Sequence, residues 1–200
     1  MKRNNWNIEW SALTPQEYQN KGGTIDIVYG FHNTSFGECM IANTARGICM
    51  LDFVDDNHDF ILQRLHDKWA FAHIQQDQNL TASLVASLFK QNLNPIKILP
   101  HGTPFQLKIW NTLLQIPFGQ QTTYTKIAQQ INQPKAARAV GSAIAQNHIA
   151  YLIPCHRVLR TDGGLANYKW STNRKAQLIE WEKAVFDTKS MFKGYPSNFA

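Results

Sequence analysis

Carboxylates are almost missing from one long stretch of this 200-residue chain. Residues 97–175 hold ten Lys and Arg but a single acid, Asp162, a net of +9; residues 1–96 carry seven against ten, a net of −3, and the last 25 residues balance at three and three. A basic segment so poor in acids calls for an anionic partner, most simply nucleic acid, against the plainer alternative of a solvated basic face. Cysteine is scarce as well. Cys39, Cys49 and Cys155 form an odd set, which argues against a disulfide framework and for a reducing, cytoplasmic setting. The three cysteines and seven histidines show no C-x-x-C or H-x-x-x-H spacing, so no metal site is expected. No apolar run approaches a membrane span, and the opening MKRNNWNIEW lacks a signal-peptide core, so a soluble protein without a membrane partner is expected.

What is present is enough for a core. Hydrophobic residues make up 44%, with six Trp and eleven Phe, and the length suits one ordinary domain or two small ones. Residues 1–22, with SALTPQEYQNKGG, read as a short helix and linker. Residues 23–96 read as an α/β unit: strands at TIDIVYGF, ECMIA and ICMLDFV, the last two joined by the turn NTARG, then helical spacing at 57–70 and 80–93. NLNPIKILPHGTP is the expected connection to a unit spanning 97–185, and 186–200 is a tail without a reading.

The second unit opens with a helix that places Phe105, Ile109, Trp110 and Leu113 on one face, behind Pro104. YTKIAQQI, with a Thr N-cap candidate, and KAARAVGSAIAQN are two short helices around the break NQPK, the pattern of a helix-turn-helix. The second is slim: Ala136, Ala137, Ala139, Gly141, Ser142, Ala143 and Ala145 surround a projecting Arg138. Such a surface suits tight packing against a neighbour and equally suits entry into a narrow groove. In AYLIPCHRVLR, Pro154 is expected to end a short buried strand and present Cys155 beside His156 and Arg157, cations of the kind that favour a thiolate. His156 is the obvious base. A carboxylate to orient it is available in TNRKAQLIEWEK, at Glu182, 27 residues beyond Cys155, or at Glu180.

The strings GTPFQLKIW (102–110), TTYTKIAQ (122–129), PKAARAVGSA (134–143), IPCHRV (153–158) and NRKAQLIEWE (173–182), in this order and spacing, resemble the O6-alkylguanine-DNA alkyltransferases, also called methylated-DNA–protein-cysteine methyltransferases. The resemblance is strong over about 102–185. It implies an α/β (α+β) chain: a small N-terminal ribonuclease H-like domain with an antiparallel sheet, then a mostly helical, winged-helix-like catalytic domain. It implies a single-turnover protein, without cofactor and monomeric, that flips an alkylated guanine (or thymine) from duplex DNA and takes the alkyl group onto Cys155. His156 then matches the histidine that deprotonates the thiol through a water, Glu182 its orienting carboxylate, and Asn147 the asparagine bracing the active-site turn. Tyr124 matches the tyrosine at the rotated phosphate, also placed to protonate the departing guanine, with Lys175 nearby. Arg138 matches the arginine that fills the vacated stack; Thr125, Gln133, Ala137 and Gly141 complete a minor-groove DNA surface. Val158, Tyr168, Lys169 and Trp170 form the substrate pocket.

The chain departs from the usual glycine-rich G-Y-x-G-G stretch: Trp170 stands where a glycine is common, as in the bacterial adaptive-response type. A rim indole there is expected to exclude benzyl-sized adducts. SALTPQEYQNKGG also resembles the end of that type's regulatory region, so repair without transcriptional control is expected. The competing readings are a non-reactive binder of alkylated DNA, a DNA-responsive regulator and an unrelated Cys-His hydrolase.

Overall fold

The computed structural model describes residues 7–55, 57–89 and 95–192, with side chains through residue 186. Helix α1, Pro15–Gln19, starts at Thr14, which forms a capping box with Glu17. Strands β2 (Asp26–Thr34), β3 (Gly37–Thr44) and β4 (Gly47–Phe53) form an antiparallel meander. Their alternation of buried and part-buried side chains shifts in β4 to burial on both faces, since this strand lies mid-sheet between elements that cover it. Helix α2 (His58–Lys68) and helix α3 (Gln78–Phe89) correspond to the two expected helical segments; residues 90–93 of the second lie outside the described residues.

Three short strands complete a six-stranded sheet and were not apparent in the pattern. β1 (Ile8–Trp10) pairs in parallel with β6 (Ile96–Ile98), and β5 (His73–Gln76) pairs in parallel with β2, giving the order β1-β6-β4-β3-β2-β5. Part of the expected N-terminal linker is thus an edge strand, and part of the proline-bearing connection is its partner. The sheet is mixed, antiparallel at its centre and parallel at both margins. Gly47 lets β6 come close: its φ is +131°, and a Cβ would lie 2.5 Å from the Lys97 backbone.

Beyond the sheet, helix α4 (Pro104–Leu113) begins at Thr103 with a second capping box and buries Ile109, Trp110 and Leu113, while Phe105 packs at the core's edge. Helix α5 (Tyr124–Gln130) is capped by Thr123, as expected, and helix α6 (Ala137–Ala145) follows after Asn132, whose φ is +60°. Trp110 Nε1 donates to the Ala143 carbonyl at 2.9 Å and so ties α4 to α6. β7 (Thr122–Thr123) and β8 (Val158–Leu159) make a small parallel pair, and helix α7 (Thr172–Phe192) is the last described element, taking the first residues of the expected tail into the helix; residues 193–200 of the tail lie outside the described residues.

The expected strand at AYLI is instead a buried turn. Only Ile149 bridges to the sheet, at Leu51; Tyr151 has a φ of +65°, and Cys155 opens the 3₁₀ turn Cys155–Arg157. A run of four apolar residues signals burial, and burial alone does not distinguish strand from turn. The bridge nevertheless helps join the halves: Leu51 N donates to the His148 carbonyl at 2.9 Å, and Ala150 N to the Leu51 carbonyl at 2.8 Å.

Candidate functional site

The 3₁₀ turn holds Cys155 almost completely buried, with the thiol at the floor of a cleft. Asn147, immediately after α6, fixes its surroundings. Its Oδ1 accepts from Ile149 N at 2.9 Å; its Nδ2 faces the Ile153 carbonyl at 3.2 Å and the Cys155 sulfur at 3.1 Å. One buried amide therefore pins the turn and donates to the sulfur, which a thiolate uses better than a thiol. The Cys155 sulfur also lies 3.9 Å from Tyr168 Oη.

The cations expected around the cysteine come from elsewhere. Arg157 turns away from Cys155 and grips Glu182, with Nε at 3.0 and 2.9 Å from the two oxygens and a terminal nitrogen at 2.7 Å, while its other terminal nitrogen donates to the Ile116 carbonyl. Lys175 and Lys169 are the ammonium groups whose charge favours the thiolate. Burial outweighs them and pushes the resting thiol upward, so Cys155 rests as S–H. Cys39 and Cys49, inside β3 and β4, are also raised by burial, Cys39 to about 12, and serve packing.

Glu182, not Glu180, is the buried carboxylate; Glu180 faces solvent. Burial alone would raise the Glu182 carboxyl, but hydrogen bonds and charge from His156 and Arg157 prevail and hold it at about 2. Gly119 N adds a third donor at 3.1 Å, from a turn where Gly119 has a φ of +73° that a larger residue would strain. Burial in turn lowers His156 despite its carboxylate partner. The two shifts agree once Arg157 is taken as the cation that balances Glu182. His156 is then neutral: Nε2–H donates to Glu182 at 2.9 Å, and the buried Nδ1, which has no hydrogen bond, carries the lone pair. His156 does not touch the sulfur directly among the described residues, as the thiol's partners are Asn147 and Tyr168.

The cleft holds about 330 Å³ of empty space, including its open mouth. Tyr124 from α5 and Gly141, Ile144 and Ala145 from α6 form one wall; Asn167, Tyr168, Lys169, Trp170 and Lys175 form the other. Of these, Ile144 and Asn167 are not among the residues expected from the sequence, and Ala145 is expected only as part of the slim helix. Burial and the nearby sulfur raise the Tyr124 hydroxyl. Lys175 donates to the Val158 carbonyl at 2.7 Å and lies over the Tyr168 ring; burial lowers it to about 8. Val158 enters through this carbonyl, its side chain packing in the core rather than lining the cleft. Trp170 is not a rim blade: the indole is buried, with Nε1 hydrogen-bonded to Asp52 of β4. Arg138, Gln133 and Lys135 are exposed, Thr125 and Ala137 half-buried, all in or beside the α5–α6 unit. Among the described residues no three His, Cys, Asp or Glu side chains gather as a metal site.

A cleft with a buried thiol at its floor and the second of two short, turn-linked helices as its wall defines a class, proteins that hold a cysteine beside a helix pair. Comparison with known proteins makes the class specific. Residues 104–184 match the family described as 6-O-methylguanine DNA methyltransferase, DNA binding domain, and residues 27–100 match the ribonuclease-like domain of the same family. The crystal structure of Mycobacterium tuberculosis O6-methylguanine methyltransferase is similar at a TM-score of 0.65 and 30% identity, over 79% of this chain and 93% of that one. The Mycobacterium tuberculosis OGT in complex with DNA gives 0.64 and 30%, over 78% and 93%. The bifunctional transcriptional activator/DNA repair enzyme Ada of Escherichia coli is 35% identical over 180 residues, 87% of this chain and 50% of Ada. The chain spans about half the length of the first curated relatives it matches. It belongs to the O6-methylguanine-DNA methyltransferase family.

Proposed function

We propose that this protein repairs alkylated DNA by moving a methyl or other small alkyl group from O6 of guanine, and from O4 of thymine, onto Cys155. The carrying observation is the pairing of a thiol braced by Asn147 with a neutral imidazole locked on Glu182. Duplex DNA docks on α5 and α6, Arg138 occupies the place of the extruded nucleotide, and the flipped base enters between Tyr124 and the 167–170 wall. The Cys155 proton passes through a bridging water to His156 Nδ1. The sulfur forms a bond to the alkyl carbon as the carbon–O6 bond breaks, and the electron pair leaves with the guanine. Tyr124, close to Lys175, supplies a proton that makes the base a neutral leaving group. Both partners rest uncharged, which suits a buried site: charge separates only when substrate is seated, with Lys169 and Lys175 beside the forming thiolate. The thioether has no route to cleavage, so each molecule acts once, and no cofactor takes part because the substrate carries its own alkyl group.

Mass spectrometry tests the reading. Mixing the protein with a duplex carrying one O6-methylguanine should add one methyl per molecule, on the peptide holding Cys155, and Cys155→Ala should bind the duplex and gain nothing. Binding without any mass change in the wild-type protein would make it a non-reactive damage binder. Alkylation at the normal rate in Cys155→Ala would move the acceptor elsewhere.

A further inference from the structure

Asp52 is a carboxylate near the end of a buried strand, itself fully buried, and outside the alkyl-transfer machinery described above. Its partners come from three directions. Arg64 of α2 lies 2.7 Å from Oδ2, Lys169 Nζ lies 3.5 Å from the same oxygen, and the Trp170 indole N–H donates to Oδ1. Lys169 and Trp170 are consecutive cleft-wall residues. Lys169 Nζ also donates to the Asn147 carbonyl at 3.0 Å, and the Asn147 amide donates to the Cys155 sulfur at 3.1 Å. Three contacts thus run from the first half's sheet to the reacting atom.

A strut between the two halves needs no cleft residues. The bridge at Leu51–Ile149 already joins them, and Arg174 does so again, reaching the Phe36 carbonyl at 2.8 Å and Asp55 at 2.7 Å. Asp52 differs because two of its three partners face the substrate space and one of those holds the residue that touches the thiol. Arg64 alone would balance its charge. The indole and the ammonium are thereby fixed in position; burial lowers Lys169 to about 8, and the Asp52 carboxylate 3.5 Å away opposes that lowering.

Resting on the alkyl-transfer reading, we propose that Asp52 is a positioning residue for that reaction, setting the Lys169 ammonium and the Trp170 indole on the cleft wall so that Asn147 and the thiol are held in their reactive arrangement. Asp52 touches neither substrate nor sulfur; it acts through Lys169 and Trp170. The titratable groups facing Lys169 include Asp52 of β4, Arg64 of α2, Cys155 of the 3₁₀ turn and the buried His148.

The test is a double-mutant cycle on the full chain, read as single-turnover transfer from O6-methylguanine duplex at several DNA concentrations. Asp52→Asn, which still accepts from the indole but carries no charge, should slow the maximal transfer rate roughly tenfold or more, the scale on which small misplacements act. The DNA concentration giving half that rate should stay within about twofold, since Asp52 is fully buried on β4 and presents no group to the DNA surface. Lys169→Met should show the same split, Lys169→Arg should restore most of the rate, and the double variant should be no slower than the slower single. Wild-type rates in Asp52→Asn, or slowdowns that multiply in the double variant, would overturn the proposal. If Asp52→Asn does not fold, Lys169→Met decides alone, because it leaves Asp52 paired with Arg64 and the indole; unchanged transfer there would overturn it. An unreactive wild-type protein is a different result, removing the alkyl-transfer reading and this one with it.

Discussion

At the scale of single residues, the interior stores imidazoles without charge. Burial lowers His156, drives His148 well below its ordinary 6.5 and brings His101 to about 4; His148 Nε2 accepts from the His101 backbone N–H at 3.2 Å. An unfolded chain protonates all three near 6.5, whereas the folded chain resists. Below 6.5 the unfolded state therefore binds more protons, and stability falls as pH falls. Glu182 acts in the same direction lower down: with a folded value of about 2 against 4.5, its contribution is present above 4.5 and is lost as pH falls toward 2. Asp52, raised by burial, opposes this, but it is one group against four. The urea midpoint should accordingly decline between pH 7.5 and 5 and decline further below 4.5. An unchanged midpoint from pH 7.5 to 5 would mean that the buried imidazoles are charged in the folded protein.

At the scale of elements, α6 divides its surface between two tasks. Val140, Ala143 and Ile144 are buried, while Arg138, Ala139, Ser142 and Ala145 are exposed. Small side chains on the outer face let a surface approach the helix backbone, and Arg138 is the one long group that projects from it. Arg138→Ala should slow repair of O6-methylguanine in duplex DNA far more than reaction with free O6-methylguanine base, because only the duplex demands extrusion of the base. Parallel rate measurements on both substrates check this; equal slowing would assign Arg138 another task.

These helices were legible in the sequence because their signals are local: Thr123 as a cap, Pro104 in a first turn, apolar spacing of three and four. Cys155 and His156 were legible for the same reason, as neighbours in the chain. What depended on distant pairing was not. β1 exists because Ile8–Trp10 meets Ile96–Ile98, and no three-residue string announces a partner some ninety positions away. Spacing alone did not separate Glu182 from Glu180; the family resemblance pointed to Glu182, and the rotation of α7 is what buries it and leaves Glu180 exposed. Asp52 did leave a trace, a charge inside the otherwise apolar ICMLDFV, which an accounting of buried polar groups would have raised.

At the scale of the whole molecule, the charge asymmetry has two destinations. Of the ten cations between residues 97 and 175, Arg157, Lys169 and Lys175 point inward to Glu182, to Asp52 and Asn147, and to Val158, and Arg174 is engaged with Asp55 and with the Phe36 and Trp170 carbonyls. Arg160 is paired with Asp162, the stretch's one acid, and Lys97 lies on the sheet. Lys108, Lys126, Lys135 and Arg138 are left exposed on or beside the helices proposed to meet DNA. A reading of net charge alone would assign about nine phosphate contacts; the arrangement of side chains supports about three or four. Counterion release turns this difference into a measurable slope of log affinity against log salt, about −2.7 to −3.6 rather than about −8. Duplex binding followed by fluorescence anisotropy should therefore weaken by roughly 40- to 150-fold between 50 and 200 mM salt. A slope near −8 would bring the inward-facing cations to the DNA, which the buried pairing of Arg157 with Glu182 does not permit without rearranging the site.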